Sequence, residues 1–335
     1  MEGSCLQFQN PIRDAISRIR FAPQSNNLLI SSWDCSLRLY DVDGWVLRLE
    51  APTDSALLDC CFQNGSIAFS AGSDCYVRRY DLHSGIQDTI GNHDDLATCV
   101  EYCDETCQVV SAGWDNKIML WDTRMKKAPG CVKILGAEVE SMSLSVFNLL
   151  VSAGASVNTY DLRMLERSAQ AEQLLMGVQI KCLRSIPNSK GFAVGSIDGR
   201  VTLQIPDPSN SNDTGYSFRC HPKSKKGRDH LVAVNDIVFN PIICSAFVTC
   251  DDEGYVCSWD AQSRRRLFEL SKNPNSVVSS SYNHSGQLLA VASSCTYQEG
   301  NEKLVIVFSS TTFLFWSINF ISPYVTLSIA TYAIF

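Results

Sequence analysis

Histidine is scarce. Five histidines are scattered through 335 residues, so a His-built metal centre or charge-relay site has nothing to assemble from. No P-loop, GxSxG or HExxH segment occurs, nor any CxxC pair, which removes the usual marks of nucleotide, acyl-transfer and zinc chemistry. No catalytic residue, metal ligand or cofactor is expected, and the chain reads as a non-enzyme. A basic surplus is also missing: 28 Lys and Arg stand against 35 Asp and Glu, a net charge of −7. Binding a phosphate backbone needs a broad positive surface, so direct nucleic-acid binding is not expected. The opening MEGSCLQFQNPIRDAISRIRF has no apolar core of a signal peptide, which places the start of the chain in the cytosol.

Cysteine, by contrast, is plentiful. The 15 cysteines suggest a disulfide scaffold until their positions are read: Cys60, Cys61, Cys182, Cys250 and Cys257 fall inside β-rich runs. Cys103 and Cys107 come nearest to ligand spacing but have no matching second pair. Buried free thiols in a reducing compartment are the expectation.

What the chain has most of is repetition. SSWDCSLRLYD ends at Asp41, AGSDCYVRRYD at Asp81, AGWDNKIMLWD at Asp122, SAGASVNTYD at Asp161 and TCDDEGYVCSWD at Asp260, with a degenerate copy, GFAVGSIDGRVTLQIPD, ending at Asp207. Successive terminal aspartates are 40, 41, 39, 46 and 53 residues apart. A period of about 40–45 residues closing on aromatic-Asp is that of the WD40 repeat, four strands per propeller blade. A seventh blade is implied by SVVSSSYNHSGQLLAVASSC at 276–295, which has a blade's apolar run but never reaches aromatic-Asp. The expected fold is all-β, a seven-bladed WD40 β-propeller over residues 1–303, closed by an N-terminal strand near Leu6 to Gln9.

Residues 304–335 break the pattern, because no charged residue occurs from Leu304 to Phe335. A spanning helix needs roughly 20 apolar residues, but recurrent Ser and Thr, Pro323 and the β-branched and aromatic bias favour strand. The expectation is an atypical tail in which Leu304 to Phe308 completes a strand of the last blade, with membrane contact only if the tail inserts.

Within the repeat, Asp74, Asp115, Asp198 and Asp252 fall in tight turns where a carboxylate bonds nearby amides, so their first role is structural. His93, in IGNHDD, is read as a packing residue. Two turns differ: Trp33 and Trp114 stand immediately before the turn Asp in the first and third blades. As a pair at equivalent positions they form two aromatic platforms on one face, with Arg200 of SIDGR supplying charge between them. That combination reads as a peptide groove.

At these residues the sequence resembles a family. SSWDCSLRLYDV, LLDCCF, NHDDLATCVEYC, AGWDNKIMLWDTR, VNTYDLR, GSIDGRV, YSFRCHPK, VNDIVF and GQLLAVASSCTYQ are similar, in order and spacing, to the WD40 spindle-checkpoint family named for budding uninhibited by benzimidazoles, third member, in its plant forms. The resemblance covers roughly residues 6–300. It implies a monomeric, non-enzymatic adaptor of the nucleus and kinetochore with a cytoplasmic pool. Its expected partners are checkpoint kinases and kinase-like proteins carrying GLEBS peptides, and a kinetochore scaffold with phosphorylated Met-Glu-Leu-Thr motifs. The resemblance assigns Trp33, Trp114 and Arg200 to the GLEBS peptide and Arg219 of FRCH to the phosphate, with Lys223 as the candidate second phosphate contact. A guanidinium fork suits a phosphate that unmodified Thr does not offer.

A different class stays open beside it. WDTR at 121–124 and YDLR at 160–163 match the WDxR-like box by which propellers dock on the adaptor of a cullin-RING ubiquitin ligase, through Arg124 and Arg163. A WD40 mRNA-export relative that also binds GLEBS peptides is the other alternative.

Overall fold

The computed structural model describes residues 4–5, 12–124, 130–165, 177–187, 191–205, 215–220, 231–270, 272–273, 275–294 and 312–317, the first and last of these ranges by backbone alone. Sheets follow one another along the chain. After β1 (Ser4–Cys5), the first sheet holds β2 (Ile16–Phe21), β3 (Asn27–Ser32), β4 (Ser36–Asp41) and β5 (Val46–Pro52). The second holds β6 (Leu57–Phe62), β7 (Ile67–Gly72), β8 (Tyr76–Asp81) and β9 (Gln87–Asn92), and the third β10 (Ala97–Cys103), β11 (Gln108–Gly113), β12 (Lys117–Asp122) and β13 (Cys131–Ile134). The fourth holds β14 (Val139–Ser145), β15 (Asn148–Ala153) and β16 (Ser156–Asp161), and the fifth β17 (Ile180–Ser185), β18 (Phe192–Ser196), β19 (Arg200–Gln204) and β20 (Tyr216–Arg219). The sixth holds β21 (Val234–Phe239), β22 (Ala246–Asp251), β23 (Val256–Asp260) and β24 (Arg265–Glu269); the last pairs β25 (Val277–Tyr282), β26 (Leu288–Ser293) and β27 (Thr312–Ser317) with β1.

Among the described residues, complete four-stranded blades number six where the repeat predicts seven. The fourth sheet has three strands among the described residues. Past Asp161 its chain enters a single 3-10 turn over Leu162–Met164, capped by the Asp161 carboxylate, and residues 166–176 lie outside the described set.

Strand period sets the core. In β4, Leu37 and Leu39 pack with Cys60, Ala68 and Tyr80 of the second sheet, while Tyr40 turns to the other side to meet Ile19 and Ala290. Each sheet is thus glued to both neighbours. The innermost strands β2, β6, β10, β14, β17, β21 and β25 pack on one another in succession, and β25 packs back on β2, so the ring closes. Closure is polar as well as apolar. The amides of Ile19 and Phe21 donate to Ser279 Oγ (3.2 Å) and Ser281 Oγ (3.0 Å) of β25. Each innermost strand carries a register shift near its start, from Ile16/Arg18 to Val277/Ser279, a bulge that adds twist at the crowded centre.

Two expected strands, Leu6 to Gln9 and Leu304 to Phe308, lie outside the described residues. Among the described residues Ser4–Cys5 closes the last sheet, with Ser4 opposite Phe315, and the tail contributes Thr312–Ser317 beside Leu288–Ser293. No helix among the described residues is long and apolar enough to cross a membrane. Cys60, Cys61, Cys182, Cys250 and Cys257 are buried free thiols, and burial raises the pKa of Cys60 to about 12.

His93 is the hinge of the best-made sheet. Its Nδ1 lies 3.0 Å from Asp115, its Nε2 lies 2.7 Å from Ser111 Oγ, and the Trp121 indole donates to the same hydroxyl at 2.8 Å. Replacing the ring removes one bond from a carboxylate that keeps the Asp94 and Lys117 amides and one from a hydroxyl that keeps the Trp121 indole, at about 1–3 kcal/mol for a bond to a charged group and about 1 kcal/mol for the other. His93→Ala is expected to lower the urea unfolding free energy by about 2–4 kcal/mol with the slope unchanged; a loss below about 0.5 kcal/mol would deny the chain this role.

Candidate peptide-binding face

Because every innermost strand starts on the same side of the ring, the turns from second to third strand all lie on that side. Equivalence is visible in the backbone: the amides of Trp33, Ser73 and Trp114 donate to the carbonyls of Ala15 (2.8 Å), Ala56 (2.9 Å) and Leu96 (3.0 Å) at the foot of their own sheets. Ile197 and Asp252 make the same bond to Gln179 and Ala233. The two tryptophans are thus alternate members of one circle of turns.

An aspartate follows each in the first, second, third and fifth sheets, and then a residue in the left-handed region: Cys35 (φ 61°), Cys75 (φ 72°), Asn116 (φ 60°) and Gly199 (φ 79°). Each carboxylate is pinned from below. Arg38 Nη1 donates to Asp34 at 2.8 Å while its Nη2 reaches Glu50 at 2.9 Å; Arg78 holds Asp74 at 3.0 Å, and His93 holds Asp115. Partial burial pushes Asp74 up, but hydrogen bonds from Arg78, Ser55 and the Tyr76 amide, together with the guanidinium charge, outweigh it and keep Asp74 below the usual carboxylate range. With the turn tied down on its inner side, the residue before it projects outward. Trp33 and Trp114 are each 39% exposed, although both are large apolar side chains.

In the fifth sheet the pattern changes to charge. Arg200 Nε lies 3.1 Å from Asp198 Oδ2, and Arg219, directly opposite Arg200 in register, donates to the Asp198 carbonyl at 2.9 Å. The two arginines that sequence reasoning gave to different ligands share one aspartate. Gly199 is required here, since a Cβ would come within 2.7 Å of the Val232 carbonyl. Arg200 remains half exposed and Arg219 a third exposed, leaving guanidinium edges available on the same face as both indoles. Lys223 lies outside the described residues.

Sequence reasoning missed Tyr76. It follows the turn of the second sheet, is 43% exposed, and stands between the tryptophans of the first and third, with the Arg78 guanidinium 5.4 Å from its ring centre. In SDCY the aromatic follows the turn Asp, whereas WDCS and WDNK of the neighbouring repeats carry it before, so spacing alone does not group Tyr76 with the tryptophans.

Arg124 and Arg163 sit elsewhere. Both come just after a third strand ends, on the opposite face, and each folds onto its own aspartate: Arg124 Nε to Asp122 at 3.0 Å and Arg163 Nε to Asp161 at 2.9 Å. Arg163 also lies 4.7 Å over the Phe147 ring. These hydrogen bonds hold Asp122 and Asp161 down to about 2. A depressed carboxylate favours the fold above its ordinary pKa, and that contribution fades as pH falls toward about 2. Arg163→Ala is expected to return Asp161 toward 3.8 in a carboxylate NMR titration; an unchanged midpoint would mean the arginine does not hold it.

Comparison with known proteins gives the family. The family model described as WD domain, G-beta repeat, matches residues 3–41 and 86–122. The chain is 50% identical over 303 residues to an Arabidopsis thaliana protein named mitotic checkpoint protein BUB3.3, covering 90% of this chain and 96% of that one. It is 40% identical to the mitotic checkpoint protein BUB3.1 of the same plant, covering 88% of each, and 34% identical to the Dictyostelium discoideum mitotic checkpoint protein bub3, covering 90% of this chain and 92% of the other.

Proposed function

Since the chain belongs to the BUB3 family of mitotic checkpoint proteins, we propose that it is a non-enzymatic spindle-checkpoint adaptor whose indole-and-arginine face clasps GLEBS peptides of checkpoint kinase partners. The observation that carries the reading is the common face itself: Trp33, Tyr76 and Trp114 on three successive sheets, then Arg200 and Arg219 on the fifth. Exposed aromatics supply contact area at low entropic cost, and a half-exposed arginine supplies a bidentate end-point for an acidic side chain. Arg219, at the end of β20, is the reader of phosphorylated Met-Glu-Leu-Thr motifs on a kinetochore scaffold, Lys223 being the second basic candidate. We read the three-stranded fourth sheet as the remaining blade of a seven-bladed ring, and the protein as a monomer acting in the nucleus and at kinetochores.

The ubiquitin-ligase reading fits less well. Arg124 and Arg163 are exposed, but both spend their donors on Asp122 and Asp161.

Calorimetry with paired Met-Glu-Leu-Thr peptides tests the phosphate claim: the phosphorylated form should bind at least tenfold tighter, and Arg219→Ala should erase the difference. Equal affinities would overturn it. Separately, Trp33→Ala is expected to weaken a GLEBS peptide by about 2 kcal/mol, roughly thirtyfold; an unchanged affinity would remove the indole from the groove.

A further inference from the structure

The centre of the ring holds chemistry that the peptide face does not use. A cavity of about 190 Å³ opens among the innermost strands, lined by the guanidinium groups of Arg18, Arg20 and Arg184 and the hydroxyls of Ser143, Ser185 and Ser281. Ser143, Ser185 and Arg20 stand in the later halves of β14, β17 and β2, so the cavity lies toward the face that bears Arg124 and Arg163. Its volume exceeds the share of a single water several times over.

Three carboxylates surround these cations and take up part of their hydrogen-bonding capacity. Asp236 accepts from the amides of Ser280 (2.8 Å) and Ile237 (3.0 Å) and from Arg184 (2.7 Å), while Asp59 accepts from the amides of Val100 and Cys60, both at 2.9 Å. Glu101 is paired with Arg20. Arg18 stands between Asp59 and Asp236, 3.5 Å from an oxygen of each, too far and too divided for a strong bond to either. Three buried polar atoms here have no hydrogen-bond partner: Arg18 Nε, Arg20 Nε and Ser280 Oγ. A buried guanidinium nitrogen without an acceptor costs free energy, and an acceptor-rich ligand recovers it.

We propose that this channel cavity is a binding site for a small tetrahedral oxyanion, phosphate or a phosphomonoester. Its oxygens take hydrogen bonds from Arg18 and Arg20 on the first sheet, Arg184 on the fifth, and the hydroxyls of Ser143 and Ser281 on the fourth and last. One ion then bridges four sheets through their innermost strands and tightens the ring from within. Chloride, a single point acceptor, satisfies fewer of these donors. The site is independent of the peptide groove.

The test is a thermal melt and a calorimetric titration of the full chain with inorganic phosphate against sodium chloride at matched ionic strength. Phosphate at about ten times its dissociation constant should raise the unfolding midpoint by about 2–4 °C over chloride. Arg18→Gln should abolish that difference, each variant being compared with its own melt in chloride because Arg18 also faces the buried Asp59 and Asp236. Should Arg18→Gln fail to fold, Ser143→Ala with Ser281→Ala should weaken phosphate at least tenfold. O-phosphoserine used in place of phosphate separates the sources: equal binding admits phosphorylated ligands, and no binding restricts the site to the free ion. Identical melts in phosphate and chloride would overturn the proposal. So would a response lost in Arg219→Ala but kept in Arg18→Gln, which would put the ion on the peptide face.

Discussion

The pinning of the turn aspartates governs what this protein shows to the outside. Asp34, Asp74, Asp115 and Asp198 each sit at the head of a tight turn and are each gripped by a cation or imidazole: Arg38, Arg78, His93, and the Arg200 and Arg219 pair. A turn fixed on its inner side by a charge-assisted bond has few ways to move. The side chains flanking it are thereby aimed, and three of those side chains are large aromatics. In the proposed function, binding residues are thus grafted on the tied-down turns of the repeat, which is how a scaffold positions them without a dedicated loop.

Beneath that face the ring is held by an ordinary division of labour. Apolar side chains alternate between neighbouring sheets, and serine hydroxyls of the last sheet accept amides of the first. A second set of charges lines the central channel, where burial pushes the Asp236 and Glu101 pKa values up even though arginines lie beside them. Paired and amide-bonded carboxylates tolerate such a place; lone ones do not.

Much of this was legible in the residues. The aromatic-Asp period gave the blades, because each copy is one supersecondary unit that buries its faces only against neighbours. Trp33 and Trp114 stood out since an exposed indole before a turn Asp departs from the small residues of the other copies. Other features were not legible. Tyr76 lies two residues after its turn Asp, a position filled by Ser36 and Lys117 in the flanking sheets, and only the common face makes it a member of the set. That Arg200 and Arg219 meet on Asp198 depends on β19–β20 register across an intervening loop, which no spacing reports. The strand expected at 304–308 falls outside the described residues; the strand that pairs with Leu288–Ser293 is Thr312–Ser317, in an uncharged β-rich run whose sequence has no pattern to fix a register.

The central claim is that one ligand spans the indoles of alternate sheets on a single face. The most direct measurement is a spectrum of the ¹⁵N-labelled indole groups, recorded while a GLEBS peptide is added. The account predicts that the Trp33 and Trp114 resonances move together along one binding curve while Trp45, in the turn of the first sheet on the opposite side, stays still. A shift of Trp45 alone, or separate curves for Trp33 and Trp114, would contradict it.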